Sequence, residues 1–428
     1  MQHQFPLAAA NAFVAPQAQG QRVEPLERAT LSSLRRAPAI TVEVASAARL
    51  TNIRAEWDDL LRRAESPNVF MHPDLVRLAG EAYPNRTIRA LLAWHEEDLR
   101  LVGVWAFAVR RPQGAFVSVL AAPAMEHAYL ATPVIDRERI EETLDALLDH
   151  IAEDASLPKI IALDPVGADA TMDALTRVLA ARGSPSRIMA QAMRPRLVSE
   201  LDGKLYLANA LSSGSRKKLR QHRRRLAERG HLEFKIVTEP AALREAFEAF
   251  LHLEASGWKG RQGTALLGNA ADAAFARSMI AALASEGDAA VHALTIDGRP
   301  VSMQIVLRAG AGAFTWKTAY DEAFQDSSPG MLLLEDYTAA FLADAGIAFV
   351  DSCSYDDSGF MAAWSERQQI VNFWFDARRG RSVAFAIASR LHYGALALRA
   401  AVKALYLSYK SKWRRRKQPV QTAAKPAA

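Results

Sequence analysis

Cysteine is nearly missing from this chain. Cys353 is the only one among 428 residues, so no intramolecular disulfide and no cysteine-based zinc site can form, which fits a reducing compartment. No uncharged apolar run reaches the length of an ordinary membrane-spanning helix. The phosphate-cradling patterns GxxxxGK[ST] and GxGxxG do not occur. HExxH is also missing, and His72, His95, His127, His222 and His292 show no metal-ligand spacing, so no metal is expected. Acid is absent from one end. From Ala377 to Ala428 there are 13 Lys and Arg and no Asp or Glu, while residues 1–376 hold 40 basic against 47 acidic residues. The net charge of +6 therefore describes a tail on a mildly acidic body, not a nucleic-acid-binding protein.

What is present is ordinary globular material, 50% apolar and 23% charged, which excludes disordered, collagenous and disulfide-stapled classes. The length suits two domains with tails. The opening stretch MQHQFPLAAANAFVAPQAQ lacks a basic n-region and is interrupted by Pro6 and Asn11. It reads as a leader rather than a secretion signal, and the expected location is cytoplasmic, with peripheral inner-membrane contact open to the tail.

From Ile40 onward β-branched runs alternate with amphipathic helical stretches, a mixed α/β pattern. Ala47–Ala64 and Pro73–Ala82 read as helices, and Ile140, Leu144, Leu147, Leu148 and Ile151 make an apolar stripe on another. TIRALLAWHEEDLRLVGVWAFAVRR reads as two strands joined by an acidic turn. About two hundred residues later VHALTIDGRPVSMQIVLRAG repeats that unit, with Asp297-Gly298 at the tight turn. The order of elements around both hairpins implies two copies of one domain, split near Arg194–Asn209. The expected division is a disordered leader over 1–38, an N-terminal domain over 39–200, a C-terminal domain over 201–380, and a basic amphipathic helix with its tail over 381–428.

The strongest local signal runs from Ala313 to Ser352. It predicts a strand to Tyr320, a loop over Asp321–Ser327, a helix over Met331–Ala343 and a strand over Ile347–Ser352. Ser328 is placed to cap the helix, Pro329 suits its first turn, and Gly330 leaves the backbone bare. Such a start aims free N–H groups and partial positive charge at whatever precedes it, a seat for a pyrophosphate. Spacing alone favours a plain core helix over a ligand site.

The segments SRKKLRQHRRRLAERG, ASGWKGRQGTALL, DGRPVSMQIVLR, FTWKTAYDEAFQDSSPGMLLLEDYTAAFL and FVDSCSY with MAAW together resemble the BioF2-like, CelD (BcsL)-type acetyltransferases of the GNAT superfamily. These are similar to FemAB aminoacyltransferases, which use two tandem GNAT-like domains. The likeness covers Ser212–Phe375 well and Val42–Arg194 more loosely. It implies two tandem GNAT-like domains with mixed central sheets, and acyl transfer from acetyl-CoA or another acyl-CoA to an amine or hydroxyl acceptor. That acceptor would belong to exopolysaccharide, cellulose or envelope metabolism. The resemblance places the cofactor pyrophosphate at Asp326, Ser327, Ser328 and Gly330, and lines the thioester cleft with Trp316, Lys317 and Tyr320. It gives Lys317 or Tyr320 an electrostatic or acid role, and Asp321 or Asp351 the role of base. Relatives follow the last strand with DFGxGxxxYKxxW, whereas this chain has Asp351 and Trp364 but Phe360-Met361 in place of Tyr-Lys. The rivals are aminoacyl transfer from tRNA and a non-catalytic accessory protein of a polysaccharide-synthesis complex.

Arg216–Arg229 carries eight basic residues around a narrow stripe of Leu219, His222 and Leu226. It reads as a solvated helix, with binding of a cofactor 3′-phosphate or of RNA as the alternative; the helix lacks base-stacking aromatics. In the tail Ile387, Leu391, Leu398, Val402, Leu405 and Tyr409 share one helical face flanked by Arg399, Lys403, Lys410 and Arg414. That face could dock on the body or lie on an anionic membrane. Cys353 reads as a packed strand-end residue rather than a nucleophile.

Overall fold

The computed structural model describes residues 39–417 apart from 113, 115, 356 and 358. The leader over 1–38 lies outside the described residues. Thirteen strands are present among those described: β1 Ile40–Ala45, β2 Ile88–His95, β3 Arg100–Arg110, β4 Val119–Ala122, β5 Val134–Ile135, β6 Ile160–Gly167, β7 Ser186–Leu197, β8 Leu232–Val237, β9 Ala289–Ile296, β10 Arg299–Ala309, β11 Gly312–Tyr320, β12 Phe349–Asp351 and β13 Arg367–Asp376. They form one continuous sheet in the order β1-β2-β3-β4-β6-β13-β7-β12-β11-β10-β9-β8, with β5 paired to β3.

The sheet repeats itself. β1 to β4 form an antiparallel run joined to β6 by a parallel pair. β8 to β11 form another, joined to β12 by the second parallel pair. The Asp297-Gly298 turn behaves as its residues dictate, with φ of 48° and 79°. β7 belongs to both halves: Ser186–Pro195 pair with β13, and the last two residues pair with β12. β13 follows the second half in sequence but lies between β6 and β7 of the first. Its β-branched and aromatic residues, Ile370, Val371, Phe373, Trp374 and Phe375, are a local signal for a strand; its choice of neighbours is not local.

Several helices differ from expectation at their ends. Ala47–Ala64 is two helices, Ala47–Thr51 and Arg54–Arg63, because Asn52 ends the first turn and Ile53 enters the core. The loop before Pro329 is a 3-10 helix over Glu322–Ser327, capped by the Asp321 carboxylate on the Ala323 amide at 3.0 Å. Ser328 does sit ahead of the helix Pro329–Ala343, yet its backbone is left-handed, with φ 46° and ψ 55°, so its hydroxyl caps nothing. The final strand shrinks to Phe349–Asp351, because Cys353 also turns left-handed at φ 53° and leaves the sheet.

One apolar core runs beneath both halves, including Trp57, Trp105, Phe250 and Phe314. A second lies under the helix Pro329–Ala343, where Trp364 is fully buried and donates from its indole to Thr338 at 2.9 Å. Phe360 and Met361, standing where the resemblance expects Tyr-Lys, pack into this second core, and the Tyr337 hydroxyl donates to the Met361 sulfur at 3.6 Å. The helix Val383–Lys417 covers a third cluster around Trp374. No helix among the described residues is long and apolar enough to cross a membrane.

Candidate active site

β11 and β12 run side by side for only three residue pairs, ending at Phe314↔Asp351. Beyond that point β11 continues alone on this side to Tyr320, leaving an opening just ahead of the helix Pro329–Ala343. Within the free stretch β11 bulges. Ile305 faces Lys317 and Val306 faces Thr315, so Trp316 is the extra residue. A bulge reverses the alternation of side chains. Lys317 is thereby turned to the same face as Phe314, which without the bulge would be impossible at a spacing of three.

That face holds a polar group the sequence did not announce. Glu254, on the helix Pro240–Ser256, is buried; its two oxygens accept from Lys259 at 3.0 Å and from the Leu266 amide at 2.9 Å. Lys259 also donates to the Thr318 carbonyl at 2.8 Å. Next to it Gly260 lies against the Ala255 carbonyl, where a Cβ would come within 1.7 Å of the oxygen, so this close turn requires glycine. Across the opening His127 approaches Asp272 at 3.2 Å, Tyr83 donates to Asp272 at 2.7 Å, and the Trp316 indole donates to the His127 carbonyl at 2.6 Å. The Lys317 ammonium makes no ion pair or hydrogen bond among the described residues and lies 5.4 Å from the Trp316 ring centre. Burial holds its pKa below that of an ordinary lysine, although Glu254 and Asp272 pull the other way. Lys259 and His127 are lowered as well, by burial first. The arrangement can hold and release a proton at the Lys317 nitrogen. Of the five partners only Lys259 fell within a segment quoted from the sequence. Glu254, Asp272, His127 and Tyr83 come from four separate elements, and no local spacing relates them.

At the helix start, Met331 and Leu332 both donate to the Ser328 carbonyl, and Pro329 has no N–H. The Gly330 amide is left without an acceptor among the described residues, and a Cβ placed there meets nothing within 4 Å. Ser327 is buried and Asp326 exposed. The basic helix Ser213–Ala227 packs against this helix and the 3-10 turn, burying Leu219, His222 and Leu226. Arg223 is spent on Glu335 and Asp336, at 2.8 Å each, while Arg229 lies over Phe324 at 5.2 Å, beside the turn.

The two acids expected as bases are engaged elsewhere. Asp321 caps the turn and pairs with Arg299 at 3.1 Å. Asp351 is buried, pairs with Arg194 at 3.2 Å and accepts from the Cys353 amide at 2.7 Å. Tyr320 ends β11 opposite Ser302, half-buried. Cys353 is buried, which pushes its thiol pKa well up and leaves it unreactive. A trio of His72 from the first half with Glu286 and Asp288 from the second converges elsewhere, but Arg54 reaches Glu286 and Asp288 there and supplies the cation.

In the first half Asp164 lies on β6 with its residue exposed to solvent, and the protein packed around its carboxyl pushes the pKa up to about 6, against the pull of Arg110. A raised acid favours the folded state below its unfolded value, and that contribution is lost as pH rises through about 6. Asp164→Asn is therefore expected to raise the melting temperature at pH 7.5 and leave it unchanged at pH 4. An equal gain at both values would show that charge is not the cause.

Comparison with known proteins adds to this geometry. Residues 213–358 match the family described as Acetyltransferase (GNAT) domain. No curated protein matches the sequence. Among solved structures, FemX is similar over 79% of this chain and 97% of its own, at 14% identity and a TM-score of 0.51. The C-terminal domain of a putative lysylphosphatidylglycerol synthetase from Agrobacterium fabrum is similar over 82% of this chain and 97% of its own, at 15% identity and a TM-score of 0.49. A tandem GNAT protein from the clavulanic acid biosynthesis pathway is similar over 80% and 99%, at 16% identity and a TM-score of 0.42. At 14% identity the likeness to FemX is one of fold alone. The chain folds as two tandem GNAT-like halves on a mixed sheet, and the second half carries the stretch that matches the GNAT acetyltransferase domain.

Proposed function

We propose that this protein transfers an acyl group from a coenzyme A thioester to an amine or hydroxyl acceptor, with the second half holding the donor. The observation that carries this is the unpartnered Gly330 amide at the start of the helix Pro329–Ala343, on the chain that follows the part of β11 no longer paired with β12, within the stretch matched by the GNAT domain. The residues fit the donor. A free amide at a helix start favours a phosphate oxygen, the position is open enough for one to approach, and Arg229 stands beside the same turn. Asp326, Ser327, Ser328 and Gly330 would surround the pyrophosphate, and Trp316 would border the thioester arm.

Acyl transfer forms a bond from the acceptor nitrogen or oxygen to the carbonyl carbon and breaks the carbon–sulfur bond. The departing sulfur takes a proton from the lysine, which gives it up more readily at a lowered pKa, and the proton that the acceptor nitrogen or oxygen loses returns to the lysine, so that the products are the acylated acceptor and free thiol. Lys317 is assigned that acid role, with Glu254 and Lys259 fixing the charge around it. Asp351 and Asp321, held by Arg194 and Arg299, are assigned to positioning.

Coenzyme A or acetyl-CoA at millimolar concentration is expected to raise the melting temperature of the parent protein. Gly330→Glu, whose side chain enters open space and so spares the fold, is expected to abolish that shift by placing a carboxylate where the phosphate would lie. Absence of a shift in the parent, or an undiminished shift in the variant, rejects the assignment of the donor site. Release of free thiol over a panel of amines and sugars separates an enzyme from an accessory protein, which would give none.

A further inference from the structure

The C-terminal helix Val383–Lys417 spans 35 residues, about 50 Å at the rise of an α-helix. Only its beginning rests on the body. Phe385 and Ala388 are buried with Trp374, Val119 and Ile160, and the His392 ring stacks on Trp374 with centroids 4.5 Å apart. The apolar stripe read from the sequence is a different face. Ile387, Leu391, Leu398, Val402 and Leu405 fall within about 60° of one another at 100° per residue. They are 42 to 69% exposed, and the docked residues lie about a third of a turn away. Beyond Ser389 no described side chain of the helix is buried. The loop at Gly114 abuts the helix at Leu391 and Ala395, and two residues on Phe116 is 78% exposed.

We propose that this stripe is a docking face for an anionic lipid bilayer, on which the helix lies parallel to the surface. The proposal is independent of the acyl-transfer reading. It rests on two features that one partner must satisfy together. The stripe removes apolar area from water only if its partner is apolar, and the surrounding charge is of one sign. Arg390 stands on one flank of the stripe and Arg399 and Lys403 on the other, while no acid occurs anywhere after Asp376. The stretch Lys410–Lys417 adds six more cations. A second copy of the chain would bury the stripe but bring two basic helices together. Nucleic acid would accept the charge but leave the stripe in water. The acyl boundary of a bilayer carrying anionic headgroups meets both demands.

The test is flotation of the full chain with phosphatidylcholine vesicles and with vesicles containing about one-third phosphatidylglycerol. Binding is expected to the anionic vesicles only, and to weaken at about 0.5 M salt. The exposed triple variant Leu398→Ser/Val402→Ser/Leu405→Ser and the double variant Arg399→Glu/Lys403→Glu are each expected to bind about tenfold more weakly, with unchanged melting temperatures. Failure to float with anionic vesicles overturns the proposal, as does equal binding to both vesicle types. A stable dimer that the triple variant abolishes in the absence of lipid would assign the stripe to a second copy instead. Binding of an RNA probe lost in the charge variant but kept in the triple variant, without vesicle binding, would assign the helix to nucleic acid.

Discussion

Arg194→Met is expected to destabilise the protein by about 3–5 kcal/mol, the range for removing one partner of a buried ion pair. Arg194 is fully buried on β7, the strand shared by the two halves. Its Nε donates to the Ser354 carbonyl at 2.6 Å, and its Nη1 donates to the Tyr129 carbonyl at 2.9 Å and meets the Asp351 carboxylate at 3.2 Å. One side chain thus fastens the loop after β4 to the segment after β12. Methionine fills much of the same space, so the loss would come from electrostatics. Among the described residues Asp351 would keep only the Cys353 amide as a donor, and the half-buried carbonyls of Tyr129 and Ser354 would lose their bonds to the guanidinium. Urea unfolding monitored by tryptophan fluorescence gives the difference. The double variant Arg194→Met/Asp351→Asn should recover part of it, because the uncompensated charge is gone. A loss below about 1 kcal/mol, or no recovery in the double variant, would mean that the pair does not hold the halves together.

Lys317→Met is expected to lower kcat for acyl transfer by about 10²–10⁴, the usual contribution of a positioned proton donor, with KM for the donor little changed. The pH profile carries the sharper signature. If Lys317 acts as the acid, the parent loses activity as pH rises through a pKa held below 10.5, and the Met variant lacks that alkaline limb. Lys317→Arg keeps the charge but not the titration, so it separates proton delivery from electrostatic stabilisation. Stability should move the other way. Because the folded-state pKa is lowered, the unfolded chain binds more protons between the two values, and the parent gains stability as pH rises toward 10.5. The Met variant should lose that dependence. An unaltered pH profile in the Met variant would remove Lys317 from the chemistry.

Much of the site's frame was legible residue by residue. The hairpin at Asp297-Gly298 followed from two residues that tolerate positive φ, and the helix from Pro329 followed from proline at its start and an apolar run behind it. The bare backbone at Gly330 followed from the missing side chain, whereas the open space around it is set by its tertiary neighbours. Ser328 was legible in place but not in conformation: its left-handed backbone is set by the preceding 3-10 turn, which puts its hydroxyl out of reach of the helix amides. The surroundings of Lys317 were not legible. They depend on a bulge at Trp316 that exists only relative to β10, and on carboxylates from helices 45 to 63 residues away in sequence.

The sequence by itself determined the alternation of strands and helices, the repeat of two hairpin units and the acid-free basic end, because side-chain period, turn chemistry and charge are properties of neighbouring residues. Only the tertiary structure decided that β13 returns to the first half, that Arg194 spends Asp351 on holding the two halves, and that the C-terminal helix docks through Phe385 and Ala388 while its longer apolar stripe is left uncovered by the body. Each of these is a choice among faces and edges that look equivalent along the chain. They differ only once distant segments compete for the same surface, where the total area buried and the pairing of buried charge select one arrangement.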